Sequence, residues 1–176
     1  MIAQYKAWIL DFVREHPNGA IGIVFVLAFG ESMAFLSLIL PFFAILFGIG
    51  AIIGAADPLI FWSIVVSAAV GAALGDWLSF WLGFHYHEQI QHMWPLKNYP
   101  KLLERGRHFF DRFGAWAVVL GRFNGPLRAA VPIAAGIAEM PQWKFQLANW
   151  SSAFLWAFVL LYSGATGAKW LLEYFP

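Results

Sequence analysis

Four ionisable side chains stand isolated in long apolar runs: Glu31, Asp76, Arg122 and Arg128. Arginine stays protonated and presents a planar fork of N–H donors suited to phosphate oxygens. Desolvation disfavours a charged carboxylate, so Glu31 and Asp76 are candidates to load and release a proton or to balance charge. An ionised side chain at a bilayer centre costs at least about 2.5–3.5 kcal/mol on insertion scales, and such groups usually mark a pathway. Two acids and two bases can also simply neutralise one another, as a buried ion-pair network. The arginines are anion-binding candidates only to the extent that the acids leave them free.

The arginines lie six apart in GRFNGPLRAAVPIAAG, residues 121–136. Asn124, Gly125, Pro126 and Pro132 in the same stretch do not suit an uninterrupted transmembrane helix. The expectation is a segment broken inside the membrane at Pro126 and Pro132. Its freed backbone N–H groups, with Arg122, Arg128, Asn124 and Gly125, would hold an anionic headgroup. Pro41 is the corresponding break expected in the first half.

Composition fixes the class that must position these groups. Hydrophobic residues make up 61% of the 176-residue chain and charged residues 12%, with mean hydropathy +0.66. Soluble domains carry about 25% charged residues, so this is an integral membrane protein, with room for one domain over 1–176. A formal charge of +1 and the lack of a long basic run give no sign of nucleic acid. The absence of cysteine excludes disulfides, thiol catalysis and cysteine metal sites. The N-terminus does not read as a cleaved signal peptide.

In order, residues 1–16 read as an interfacial amphipathic helix, ended by His16-Pro17-Asn18-Gly19. Residues 20–56 are apolar apart from Glu31 and minor serine breaks, too long for one span and short for two. A re-entrant hairpin fits that length; two tight spans are the alternative. Asp57-Pro58 opens a transmembrane helix over 58–84. On it Ser63, Ser67, Gly71, Gly75, Ser79 and Gly83 recur every four residues, a stripe suited to close helix packing. Residues 85–112 form a polar interfacial connection, cytoplasmic by the positive-inside rule. One crossing per half would then put both termini outside, against Lys6 and Arg14. His85, His87 and His92 near Glu88 lack an HExxH spacing, so no metal is expected, and no cofactor. Residues 114–140 form the second re-entrant segment, and 143–170 a last transmembrane helix with Trp and Lys anchors.

The halves share an outline. Gly30-Glu31 precedes Pro41 by ten residues from the acid, and Gly121-Arg122 precedes Pro132 by ten from the base. Each broken segment leads to a proline, Pro58 or Pro141, and then to a full span. The fold expected is an all-α membrane protein: an inverted repeat of two re-entrant hairpins and flanking transmembrane helices, with interfacial amphipathic helices. Repeats of that kind place a binding site where the broken segments meet.

At these residues the chain resembles the DedA family, also called SNARE-associated or VTT-domain membrane proteins. The resemblance covers about residues 20–160. It rests on Glu31 ahead of Pro41, Gly75-Asp76 with Phe80 and Gly83, and above all on residues 121–149. There Arg122, Phe123, Pro126, Arg128, Pro132, Ala135-Gly136, Met140, Phe145 and Asn149 follow the family pattern. The resemblance implies two opposed re-entrant hairpins in a multi-pass protein of the bacterial inner membrane. It implies movement of a phosphate-bearing lipid, undecaprenyl phosphate or a phospholipid, with proton-motive-force dependence tied to membrane acids and with functionally important paired arginines. Three positions depart from the pattern. Pro41-Phe42-Phe43 replaces Pro-Gly-acid, Phe80 stands for the usual Tyr, and Asn124-Gly125 sets Pro126 one residue late.

The partner expected is a membrane lipid as substrate, with a homo-oligomer left open and no nucleic acid. A proton-coupled ion or small-solute exchanger is the alternative that the charges equally permit. A lipid-phosphate enzyme would need a nucleophile and base in reach. No histidine lies in the broken segments, so no catalytic residue is assigned. A structural scaffold is the remaining reading.

Overall fold

A computed structural model describes residues 15–33, 42–53, 58–86, 89 and 108–174. The elements are α1 (Pro17–Ser32), α2 (Phe42–Ile53), α3 (Pro58–His85), α4 (Ala115–Arg122), α5 (Gly125–Ile137) and α6 (Gln142–Tyr174). Among the described residues there is no strand, so the chain is an all-α protein. The amphipathic segment expected over 1–16, Pro41, and most of 85–112 fall outside the described residues. The described end of that connection, 108–113, is helical, with Phe110 buried and Phe109 and Phe113 exposed.

Proline placement explains several helix starts. Pro17 and Pro126 occupy the first turns of α1 and α5, and Pro58 begins α3, where a missing N–H costs nothing. His16-Pro17 therefore begins α1 rather than simply closing what precedes it. The break between α4 and α5 falls at Phe123-Asn124, whose N–H groups turn back to the Leu120 and Gly121 carbonyls. Pro132 does not break the chain as expected. It lies buried inside α5, which continues to Ile137, held through the proline by packing against α3 and α4.

At 1.5 Å per residue α3 and α6 reach about 42 and 50 Å, beyond the ~30 Å of a bilayer core. The other four helices reach only about 12–24 Å. Of the described helices, α3 has both the length and the apolar composition to cross a membrane. Ile23, Val26, Trp62, Val66, Leu147, Leu155 and Tyr162 point outward. Large apolar side chains exposed on three helices suit lipid rather than water.

Packing follows a two-fold pattern. α1 packs on α3 and α4 on α6; α2 packs on α6 and α5 on α3; α1 meets α2, α4 meets α5, and α3 meets α6. Exchanging α1 with α4, α2 with α5 and α3 with α6 leaves this set of pairs unchanged. Two apolar cores result. One gathers α1 and α2 around residues 64–73 of α3 and 153–161 of α6. The other gathers α4 and α5 around Phe80, Phe145 and Ala148. Residues 64–73 of α3 thus pack with the middle of α6, whereas Phe80, farther along α3, packs with Phe145 and Ala148 near the start of α6, so these two helices run antiparallel. Exchanging an antiparallel pair requires an axis perpendicular to both helices.

Glycines bring the backbones together at matching places. A Cβ at Gly136 would run into the Phe80 carbonyl oxygen, and one at Gly83 into that of Ile133, joining α5 to α3. A Cβ at Gly50 would lie 2.6 Å from the Leu161 oxygen, and one at Gly164 would meet that of Phe47, joining α2 to α6. The small-residue stripe of α3 is divided between two neighbours. Gly71 and Gly75 press on Phe25 and Phe29 of α1, and Ser67 Oγ donates to the Ile21 carbonyl at 2.7 Å. Gly83 faces α5.

Candidate functional site

The four isolated charges meet at the seam between the two cores. Glu31 is the penultimate residue of α1, Asp76 lies in α3 between the two core stretches, and Arg122 ends α4. Arg128 lies one turn into α5. All four are buried, and they act on one another electrostatically as one cluster.

Two ion pairs bind α4 and α5 to α3 and α1. Arg122 Nη2 donates to Asp76 Oδ2 and, at 2.6 Å, to Asn149 Oδ1. Asn149 Nδ2 in turn donates to the Ala73 carbonyl at 2.9 Å, tying α6 to α3 at the same level. Arg128 Nη1 donates to Glu31 Oε1 at 2.5 Å, and Nη2 to Ser32 Oγ at 2.9 Å. The Arg128 guanidinium carbon lies 4.1 Å from the centre of the Trp156 ring. A desolvated cation–π contact contributes about 2 kcal/mol. Trp156→Leu should therefore lower unfolding stability more than Trp156→Phe, as read by denaturation in mixed micelles.

Each arginine has one acid partner, so the cluster is formally neutral, yet its hydrogen bonding is incomplete. Nε and Nη1 of Arg122, Nε of Arg128, Glu31 Oε2 and Asp76 Oδ1 are buried without a protein partner. Unmet buried polar groups cost about 1–3 kcal/mol each.

Helix ends treat the two pairs differently. The partial negative charge at a helix C-terminus favours Arg122 at the end of α4 and disfavours Glu31 at the end of α1. Arg128, in the first turns of α5, faces a partial positive charge. Helix dipoles thus support the Arg122 side of the cluster and oppose the Glu31–Arg128 pair.

Of the residues proposed from sequence, Glu31, Asp76, Arg122 and Arg128 come together. Asn124 lies on the exposed surface at the break, outside the cluster, and Gly125 begins α5. Pro126 lies in the first turn of α5. Asn149, Ser32 and Trp156 complete the site and were not singled out for it by residue type alone. Asn149 and Trp156 are seven apart on α6, two helical turns, so they share a face, and that spacing was the available signal. Among the described residues no cluster of His, Cys, Asp or Glu could hold a metal ion.

A helical protein with an apolar exterior and a buried four-charge centre is an integral membrane protein of the kind that keeps paired ionisable groups inside its helical bundle. The VTT domain family matches residues 19–166, most of the chain, and the chain belongs to that family, also known as DedA. It is similar to the inner membrane protein YabI of Escherichia coli, 34% identical over 86% of this chain and 59% of that protein. It is also similar to YghB and YqjA of the same organism, 40% and 35% identical over 34% and 32% of this chain, and 27% and 26% of theirs. The chain spans about three fifths of the length of YabI and of a Buchnera aphidicola membrane protein that it also matches. No solved structure matches it.

Proposed function

We propose that the protein carries a phosphate-bearing lipid, undecaprenyl phosphate or a phospholipid, across the bacterial inner membrane, coupled to protons. It acts as a carrier rather than an enzyme. The supporting observation is the buried, neutral, incompletely bonded cluster of Arg122, Arg128, Glu31 and Asp76. A neutral cluster has no net attraction for an anion. Protonating one carboxylate gives it a charge of +1 and frees an arginine fork for one phosphate group. The pair opposed by helix dipoles, Glu31–Arg128, is the one that opens. Losing the headgroup and the proton on the opposite face restores the closed pairs. The two-fold exchange of short helices around antiparallel α3 and α6 supports re-entrant hairpins entering from opposite faces, with access alternating around a fixed site.

The test is lipid translocation by the full chain in liposomes, followed by loss of fluorescence of labelled phospholipid to an impermeant reductant. A pH gradient should speed flux through the native protein. Glu31→Gln should keep flux but lose at least tenfold of its response to the gradient, because the amide can neither take nor release a proton. Native protein that moves protons with no lipid flux would overturn the lipid reading in favour of a small-solute exchanger.

A further inference from the structure

Arg128 is held on three sides, and only one of its holders can change charge. Nη1 donates to Glu31 Oε1 and Nη2 to Ser32 Oγ, while the guanidinium carbon lies over the Trp156 ring. This ion pair is also the more open of the two. The side chains of Glu31 and Arg128 each keep 8% of their surface, against 3% for Asp76 and 1% for Arg122. Ser32 ends α1 and is fully buried, and a Cβ at Gly75, the neighbour of Asp76 in α3, would lie 2.9 Å from its own Cβ. Glycine at position 75 thus lets Ser32 settle between the Arg128 guanidinium and the turn of α3 that carries Asp76. A hydroxyl can accept and donate at once. Ser32 Oγ accepts from Arg128, but among the described residues no acceptor takes its own O–H. The other buried serines described, Ser67, Ser79 and Ser152, each donate to a backbone carbonyl.

We infer that Ser32 is a contact residue for the phosphate group, its O–H donating to one phosphate oxygen while Arg128 Nη1, released by Glu31, donates to another. This role rests on the cluster being the headgroup site, and it adds an uncharged donor to the arginine there. An O–H whose oxygen already accepts from a guanidinium is polarised by that charge and becomes a stronger donor. Trp156 is the positioning residue. Its ring carries no titrating group, so it keeps the guanidinium beside Ser32 when Glu31 turns away. The N-terminus of α5, in whose first turns Arg128 lies, favours an anion at this place. The end of α1 opposes one, so Ser32 serves a phosphate only with the Arg128 charge beside it. The same donor set suits a phosphate ester on a lipid or free inorganic phosphate.

The test is calorimetric titration of the full chain, in a maltoside detergent and mildly acidic buffer, with dihexanoyl phosphatidylglycerol and with dihexanoylglycerol, which lacks the phosphate. The native protein should prefer the phosphate lipid at least tenfold. Ser32→Ala should weaken phosphatidylglycerol at least tenfold, the worth of one charge-assisted hydrogen bond, and leave dihexanoylglycerol unchanged. Ser32→Cys keeps the volume with only a weak donor and should do the same, whereas a residue that merely packs against Gly75 would tolerate it. Trp156→Phe keeps a ring beside the guanidinium and should retain the preference that Trp156→Leu loses. Inorganic phosphate, titrated alone, assigns the source. Affinity equal to that of phosphatidylglycerol identifies free phosphate, and affinity at least tenfold lower identifies a lipid headgroup. Weakening of both lipids together in Ser32→Ala, with a lower Tm, would mark a structural hydroxyl and overturn the role of Ser32. A preference that survives both Ser32 variants would overturn it too. A native protein with no preference at all would overturn the headgroup reading of the cluster as well.

Discussion

Replacing Arg122 by alanine should destabilise the protein by about 3–5 kcal/mol and abolish lipid flux, because it leaves the Asp76 carboxylate buried and unpaired. The size of the effect follows from burial rather than from the attraction within the pair. Asn149 also loses its donor, since its Oδ1 accepts only from Arg122 among the hydrogen bonds described. The decisive variant is the double replacement Arg122→Met with Asp76→Leu. Exchanging both charges for apolar side chains of similar length removes the desolvation cost together with the attraction, and such exchanges are often neutral. Stability should return to within about 1–3 kcal/mol of the native protein, the residue being the unmet Asn149 oxygen. Flux should not return. Denaturation in mixed micelles gives the first quantity and the liposome assay the second. A double variant that is both stable and active would show that the charges only hold helices together.

Gly136→Ala and Gly164→Ala should each cost about 1–3 kcal/mol, despite adding a single methyl group. At Gly136 the new Cβ would run into the Phe80 carbonyl and lie 2.7 Å from the Phe84 nitrogen. At Gly164 it would meet the Phe47 carbonyl and lie 3.0 Å from the Ala51 nitrogen. Backbone cannot rotate aside as a side chain can, so the helices must separate. The two costs should be similar because the two contacts are alike: each Cβ would meet a carbonyl oxygen, the nitrogen four residues on and the carbonyl carbon of a glycine between them, Gly83 or Gly50. Gly48→Ala is the internal control. It lies two residues from Gly50 in α2, nothing stands within 4 Å of its added Cβ, and helix propensity should give a gain of about 0.8–1 kcal/mol. Equal loss at all three glycines would mean that these helices do not cross at backbone contact.

Much of the site was legible in the chain because its elements are rare in apolar sequence. Glu31, Asp76, Arg122 and Arg128 are costly in lipid, so their presence alone marked them and their equal numbers suggested pairing. The spans at 58–84 and 143–170 followed from hydropathy and bounding prolines, and the helices lie at Pro58–His85 and Gln142–Tyr174. Asn124 lies exposed beside the break between α4 and α5, outside the four-charge cluster. A polar residue beside a helix break can face either way, and nothing local decides which. Pro132 was misjudged because proline destabilises an isolated helix, whereas inside α5 it is buried and supported by α3 and α4.

By itself, then, the sequence determined the membrane class, the four charged residues and the division into two similar halves, since these follow from composition, transfer cost and spacing. Tertiary structure alone decided the pairing: Arg122 with Asp76 and Asn149, Arg128 with Glu31, Ser32 and Trp156. Either arginine could have taken either acid as far as charge is concerned. The choice was made by which helix backbones approach one another, and glycines distant from the charges set those approaches.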